Sequence, residues 1–215
     1  KSAPYKNVIS LGHVLDKEGK KLSKSLGVEN KYTPDYVIEK FGADVSRWWF
    51  YRVNQAGESK SFREEELKEI NNGFVRVIIN SLRFWQLYSK KSQIINHKSQ
   101  TSTKPQILNS KLNLLDKWFL SRWNSLFVSV TESLDEYDAT TASREIEKFV
   151  IEDLSNWWIR RSRDKFQSGE NNQQKDLLRF ILLELAKLIA SFTPFLAEYL
   201  HEELHRGTVS GTASI

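Results

Sequence analysis

From Arg63 onward the apolar residues fall into a helical rhythm. Leu67, Ile70, Phe74, Ile78, Leu82, Trp85 and Tyr88 recur at spacings of three and four, which puts them on one stripe of a long helix. A polar break, SKKSQIINHKSQTSTKPQ, then offers little to bury and has Pro105 near its end. A second helix is predicted to carry Leu115, Phe119, Leu126, Val130 and Leu134, with Trp118 and Trp123 on its flanks. A third runs from about Ala139 through Ile146, Phe149, Val150, Leu154 and Trp157, and in that pattern Trp157 reads as core. The fourth, from about Gln173, is apolar on nearly every side in LLRFILLELAKLIASF, as befits the middle of a bundle. Thr193-Pro194 interrupts it and opens a last helix.

Before residue 63 the rhythm is different. Val8 to Leu15, VISLGHVL, is rich in strand formers, and the turn signal DKEG follows, so a strand should feed a loop. Thr33 reads as an N-cap with Pro34 in the first turn of DYVIEKF, a short helix that Gly42 closes. Asp44 is placed to cap a second helix through VSRWWFYRV that ends near Gly57. The chain is therefore mainly α. A short α/β portion with a helical hinge occupies residues 1–62, a helical bundle 63–206, and a small, uncharged tail 207–215; there is no internal repeat.

Composition narrows the classes. A hydrophobic share of 40% can fill a core, and 32 Lys and Arg against 27 Asp and Glu permit a polyanionic partner without demanding one. The absence of cysteine excludes disulfides and cysteine-ligated zinc here and suits a reducing, cytoplasmic setting. His201 and His205, with Glu202 and Glu203 between them, read as a solvated helix end, so no metal site is expected. The run Leu188 to Ala197 contains a proline and reaches only about half the length a bilayer requires, so no membrane span is expected. No methionine occurs and Lys1 opens on the approach to a strand, so the chain is expected to be a piece of a longer protein.

The candidate chemistry starts in KEGKKLSKSLG, Lys17 to Gly27. It is either a solvated basic turn or a loop that holds polyphosphate. Lys21 and Lys24, three apart on a glycine-flanked loop, can bring two ammonium groups to phosphates, while the hydroxyls of Ser23 and Ser25 add donors. A second cluster lies at a helix end, where Arg160, Arg161, Arg163 and Lys165 follow Trp157 and Trp158. Cations beside stacking platforms suit an RNA backbone and unstacked bases; alternatively the arginines pair with Glu145, Glu152 or Asp153.

Lys21 to Ser25, K-L-S-K-S, resembles the K-M-S-K-S signature of the class I aminoacyl-tRNA synthetases, with Leu22 in place of methionine. Further landmarks, YKNVISLGHVLDKEGKKLSKSLG, FGADVSRWW, LDKWFLSRWNSL and EDLSNWWIRRSRDKF, resemble the isoleucyl branch of that family over nearly the whole chain. Val28 departs from the asparagine that commonly follows S-L-G. The resemblance implies the end of a class I nucleotide-binding domain followed by an anticodon-binding bundle. It implies Mg-ATP-dependent activation of isoleucine and its transfer to tRNA(Ile), with Lys21 and Lys24 catalytic, Ser23 and Ser25 on ATP, and Arg160, Arg161, Arg163 and Lys165 on tRNA. The H-I-G-H signature is absent, so this segment alone should be inactive and should meet isoleucine only through the rest of a monomeric enzyme. A valyl-tRNA synthetase, a non-catalytic tRNA-binding helical module and a purely structural helical adaptor remain the alternatives.

Overall fold

The computed structural model describes residues 4–22, 33–93, 112–168 and 173–206. Among the described residues the two strands are β1, Val14–Leu15, and β2, Lys60–Ser61, paired in parallel with Val14 opposite Lys60. The strand expected over Val8 to Leu15 thus contracts to its last two residues. Among the described residues Val8, Ile9 and Leu11 have no neighbouring strand, and their side chains are exposed. Gly12 sets the approach of this segment to 56–59. Its N–H donates to Ala56 O at 2.9 Å, and a Cβ there would stand 2.0 Å from Glu58 O.

Helix α1, Pro34–Phe41, starts at Thr33, whose Oγ1 accepts from the Tyr36 N–H, and ends at Gly42, φ 87°, a left-handed turn that favours glycine. Helix α2, Ala43–Arg52, follows at once. It stops well short of Gly57, and Asp44 does not cap it. Instead Asp44 Oδ2 accepts the Leu196 N–H at 2.6 Å, capping a helix distant in sequence. Burial raises the Asp44 carboxyl above its ordinary value, opposed by the Leu196 and Phe195 N–H groups and by Arg47.

The first long helix is one rod in three parts: α3, Glu64–Ile70, a π-helical turn Asn71–Val75, and α4, Arg76–Gln93. Every residue of its predicted stripe, Leu67 through Tyr88, is buried. The rod runs into the expected polar break, the rest of which, 94–106, lies outside the described residues. Helix α5, Leu114–Asp135, buries Phe119, Trp123, Leu126 and Val130. Trp123 is therefore core rather than flank, because it lies four after Phe119 and three before Leu126 and packs edge-on against Phe149. Leu134, near the end of the stripe, is exposed.

The third rod comprises α6, Ala139–Lys148, a π-helical stretch Phe149–Ile159, and α7, Arg160–Ser168. Ala142, Ile146, Val150, Leu154, Trp158, Ser162 and Phe166 are all buried, at a constant spacing of four. On a regular α-helix that spacing drifts about 40° per step. The wider π turns remove the drift and keep one face on the core, which selects Trp158 for burial and turns Trp157 outward, contrary to the expectation from sequence. Trp158 stacks on Phe119 at 4.6 Å, and Phe119 on Phe149 at 5.5 Å. Helix α8, Gln173–Ile189, runs through the middle, and α9, Pro194–Arg206, packs along it.

Candidate phosphate loop and nucleic-acid interface

The lysine segment begins as a tight hairpin. Asp16 Oδ1 accepts the N–H groups of Glu18 and Lys20, Gly19 turns at φ 82°, and the returning chain bonds to β1 through Leu22 N to Val14 O at 3.1 Å. This geometry sorts the lysines. Lys20 donates to Glu18 at 3.1 Å, and that bond, then the charges of Glu18 and Asp16, hold its pKa above the ordinary value. Lys21, one residue on, is exposed and has no ion-pair partner among the described residues. Ser23, Lys24 and Ser25 lie outside the described residues.

Beside this hairpin lies a lysine with no motif around it, tied to the end of α2. Lys60, on β2 beside Val14, is 8% exposed. Its Nζ donates to Asn54 O at 2.9 Å, to Gln55 O at 3.0 Å and to Asn54 Oδ1. Burial lowers its pKa, opposed by Glu58. The bundle supplies the other donors to this end of α2: Arg144 reaches Arg52 O at 2.9 Å and Val53 O at 2.6 Å, and Thr140 Oγ1 reaches Asn54 O at 2.9 Å. Cations at a helix C-terminus oppose its partial negative charge while satisfying its last carbonyls.

The rest of α2 is tied as firmly. Arg47 donates to Phe192 O and Ser191 O at the turn before α9, while Trp48 Nε1 and Arg52 Nε both donate to Glu147 Oε2. What reads in sequence as a hinge is bonded to the bundle along its length. Replacing Lys60 by methionine keeps the bulk but leaves the carbonyls with fewer donors. Urea denaturation should show a loss of about 1–3 kcal/mol, and an unchanged midpoint would count against this role.

The second cluster lies on the third rod. Arg160, Arg161, Arg163 and Lys165 are all exposed, and none forms an ion pair with Glu145, Glu152 or Asp153 among the described residues. Asp153 is held instead by Arg122 of α5 at 2.9 Å. Trp157 is 44% exposed, with the Arg161 guanidinium 3.8 Å from its ring centre and the half-buried Trp118 of α5 6.1 Å away at 54°. Beneath this face Trp158 Nε1 donates to Asp116 Oδ1 at 3.0 Å, and Gln174 Nε2 donates to Asp116 Oδ2 at 3.0 Å. Asn113 also donates to Asp116 Oδ2. Asp116 is fully buried, and sequence reading passed it over because a single aspartate in a first helical turn is ordinarily a surface residue.

A two-part chain of this kind, with a lysine hairpin locked onto a helical bundle, matches two family models in the same order. The model of tRNA synthetases class I (I, L, M and V) matches residues 1–63, and that of the anticodon-binding domain of tRNA ligase matches residues 116–214. The chain belongs to the class I tRNA synthetases. This synthetase chain is 40% identical over 96% of its length to the isoleucine–tRNA ligase of Bacillus thuringiensis (strain Al Hakam), and 40% identical over 93% to that of Dehalococcoides mccartyi (strain 195). It spans 19% of the length of each of these curated relatives.

Two solved structures share the fold of the synthetase chain. The LeuRS–tRNA–LeuAMS ternary complex of Agrobacterium radiobacter K84 agnB2 matches with a TM-score of 0.65 and 18% identity, covering 95% of this chain and 22% of that one. Mycobacterium tuberculosis methionyl-tRNA synthetase, in complex with methionyl-adenylate, matches at 0.64 and 19%, covering 88% and 36%. Among the described residues of the synthetase chain no helix is long and apolar enough to cross a membrane.

Proposed function

We propose that this chain serves an isoleucine–tRNA ligase, in which its hairpin closes over ATP and its cationic face anchors tRNA(Ile). The observation that carries the reading is the similarity along almost the whole chain to relatives named isoleucine–tRNA ligase, with K-L-S-K-S in their company. In the first step an isoleucine carboxylate oxygen bonds to the α-phosphorus of ATP, the bond from that phosphorus to the bridging oxygen breaks, and pyrophosphate leaves. In the second, a hydroxyl of the tRNA terminus attacks the activated carbonyl and AMP leaves.

Charge accumulates on the bridging and leaving oxygens in the first step. The ammonium groups of Lys21 and Lys24 act there, and they accelerate the reaction to the extent that they bind those oxygens more strongly in the transition state than in the ground state. The hydroxyls of Ser23 and Ser25 would donate to the same phosphates. Leu22 in place of methionine preserves an apolar anchor for the loop. Magnesium would enter with ATP; among the described residues no group of three or more His, Cys, Asp or Glu side chains could hold a metal ion.

Amino-acid-dependent exchange of pyrophosphate into ATP tests the assignment in the enzyme that carries this chain. Exchange stimulated by isoleucine is expected. Exchange stimulated by valine and not by isoleucine would overturn the assignment.

A further inference from the structure

We infer that Tyr137 positions the phosphate hairpin for adenylate formation, an inference that rests on the ligase reading above. Tyr137 stands in the turn between α5 and α6 of the bundle. Two hydrogen bonds close that turn, Tyr137 N–H to Leu134 O at 3.0 Å and Asp138 N–H to Ser133 O at 2.8 Å. This is the helix ending in which glycine ordinarily fills the left-handed position. Here a tyrosine fills it, at φ 60°, and among the described residues no other non-glycine residue has a positive φ. Glycine would make the same turn without the crowding of a Cβ. The side chain is kept for something the turn itself does not require.

Its hydroxyl accepts from Asn7 Nδ2 at 3.0 Å, across 130 residues of sequence. Asn7 lies on the segment that runs into β1, and β1 is one side of the lysine hairpin: Leu15 pairs with Lys21, and the Leu22 N–H donates to Val14 O. A shift of 7–15 is thus carried directly to Lys21. The far end of that segment is fixed, because the Lys60 N–H donates to His13 O and the Phe62 N–H to Leu15 O, both at 2.8 Å. Its near end is not packed down. Ile9 and Leu11 are exposed, and a cavity of about 520 Å³, also lined by Phe50, Tyr51, Tyr137 and Ala139, lies between this segment, α2 and the start of α6. Over that void the contact with Tyr137 sets the tilt of the segment. The turn is itself anchored, since Asp138 Oδ1 accepts from Gln55 Nε2 and from the Thr141 N–H, both at 2.9 Å.

Turn and contact come apart under substitution, which gives the test. Isoleucine-dependent pyrophosphate exchange is measured in the enzyme that carries this chain, as wild type and as Tyr137→Phe, Asn7→Ala, the double variant of these two, and Tyr137→Gly, with melting temperatures beside it. Tyr137→Phe and Asn7→Ala should each lower kcat about three- to tenfold, the equivalent of one hydrogen bond, with the KM for isoleucine unchanged. The double variant should lose no more than either single one. Tyr137→Gly should lower kcat as far without lowering the melting temperature, since glycine suits the left-handed turn. Wild-type kcat in Tyr137→Phe and Asn7→Ala would overturn the positioning role, as would additive losses in the double variant or a loss in Tyr137→Gly matched by a lower melting temperature. A wild-type enzyme whose exchange isoleucine does not stimulate would overturn the ligase reading itself.

Discussion

Replacing Lys24 by alanine in the enzyme that carries this chain should slow isoleucyl-adenylate formation by about 10²–10³-fold, the usual cost of removing one preorganised group that meets developing transition-state charge. Lys24 stands in K-L-S-K-S, three residues after Lys21. Lys20 is spent on Glu18, at 3.1 Å, whereas Lys21 stands exposed on the returning chain. Lys21 and Lys24 are the pair proposed above to meet the polyphosphate. Because the group is proposed to act on the leaving pyrophosphate, the effect should fall on the rate of exchange rather than on tRNA affinity, which the proposal assigns to a separate face of the bundle. Rapid-quench measurement of adenylate formation, set beside a tRNA titration of the same variant, separates the two. Equal losses in both would show that the substitution disturbs the fold rather than the chemistry.

Replacing Asp116 by leucine should destabilise the chain by about 3–5 kcal/mol, read as a shift in the urea midpoint. The carboxyl group is fully buried and accepts from Trp158, Gln174 and Asn113, which belong to the third rod, to α8 and to the start of α5. Leucine matches its bulk but strands those donors, and the indole N–H and the amide then lie in a core without an acceptor. Asparagine retains one acceptor oxygen and should lose less than leucine. The two substitutions thus rank by acceptors kept, and equal destabilisation by both would mean that packing at the site, not hydrogen bonding, dominates. A readout beyond stability is available in Trp157, whose position depends on Trp158 being held. The near-ultraviolet circular dichroism of the tryptophans should change in Asp116→Asn even under conditions where it remains folded.

Much of the bundle was legible in the sequence because amphipathic stripes are a direct print of burial. The residues from Leu67 to Tyr88 fall on the core one for one, and Thr33, Pro34 and Gly42 bound α1 where their backbone preferences place them. The errors have particular causes. Trp157 was expected in the core because a 3.6-residue period reaches it from Leu154, whereas the π turns of 149–159 carry the buried face to Trp158. The unbroken spacing of four from Ala142 to Phe166 was the signal that could have revealed this. Asp44 looked like the cap of its own helix because capping is read locally, yet its acceptor serves Leu196, a partner set only by tertiary packing. Lys60 carried no pattern at all. A lone lysine in a turn-rich stretch is ordinarily solvated, and here the turn of 54–60 folds it back over the end of α2. Of the candidate chemistry, the lysine motif was legible as five adjacent residues. The cationic face was half legible, with its charges evident and its exposed tryptophan misplaced.

The proposed function rests on anchorage of isoleucine tRNA at the cationic face of the bundle. It is tested most directly by fluorescence titration of the 215-residue chain with unmodified transcripts of tRNA(Ile), tRNA(Val) and an unrelated tRNA at two salt concentrations. Binding should be tightest to the tRNA(Ile) transcript and should weaken steeply as salt rises. Absence of binding to any of the three at physiological salt would contradict it.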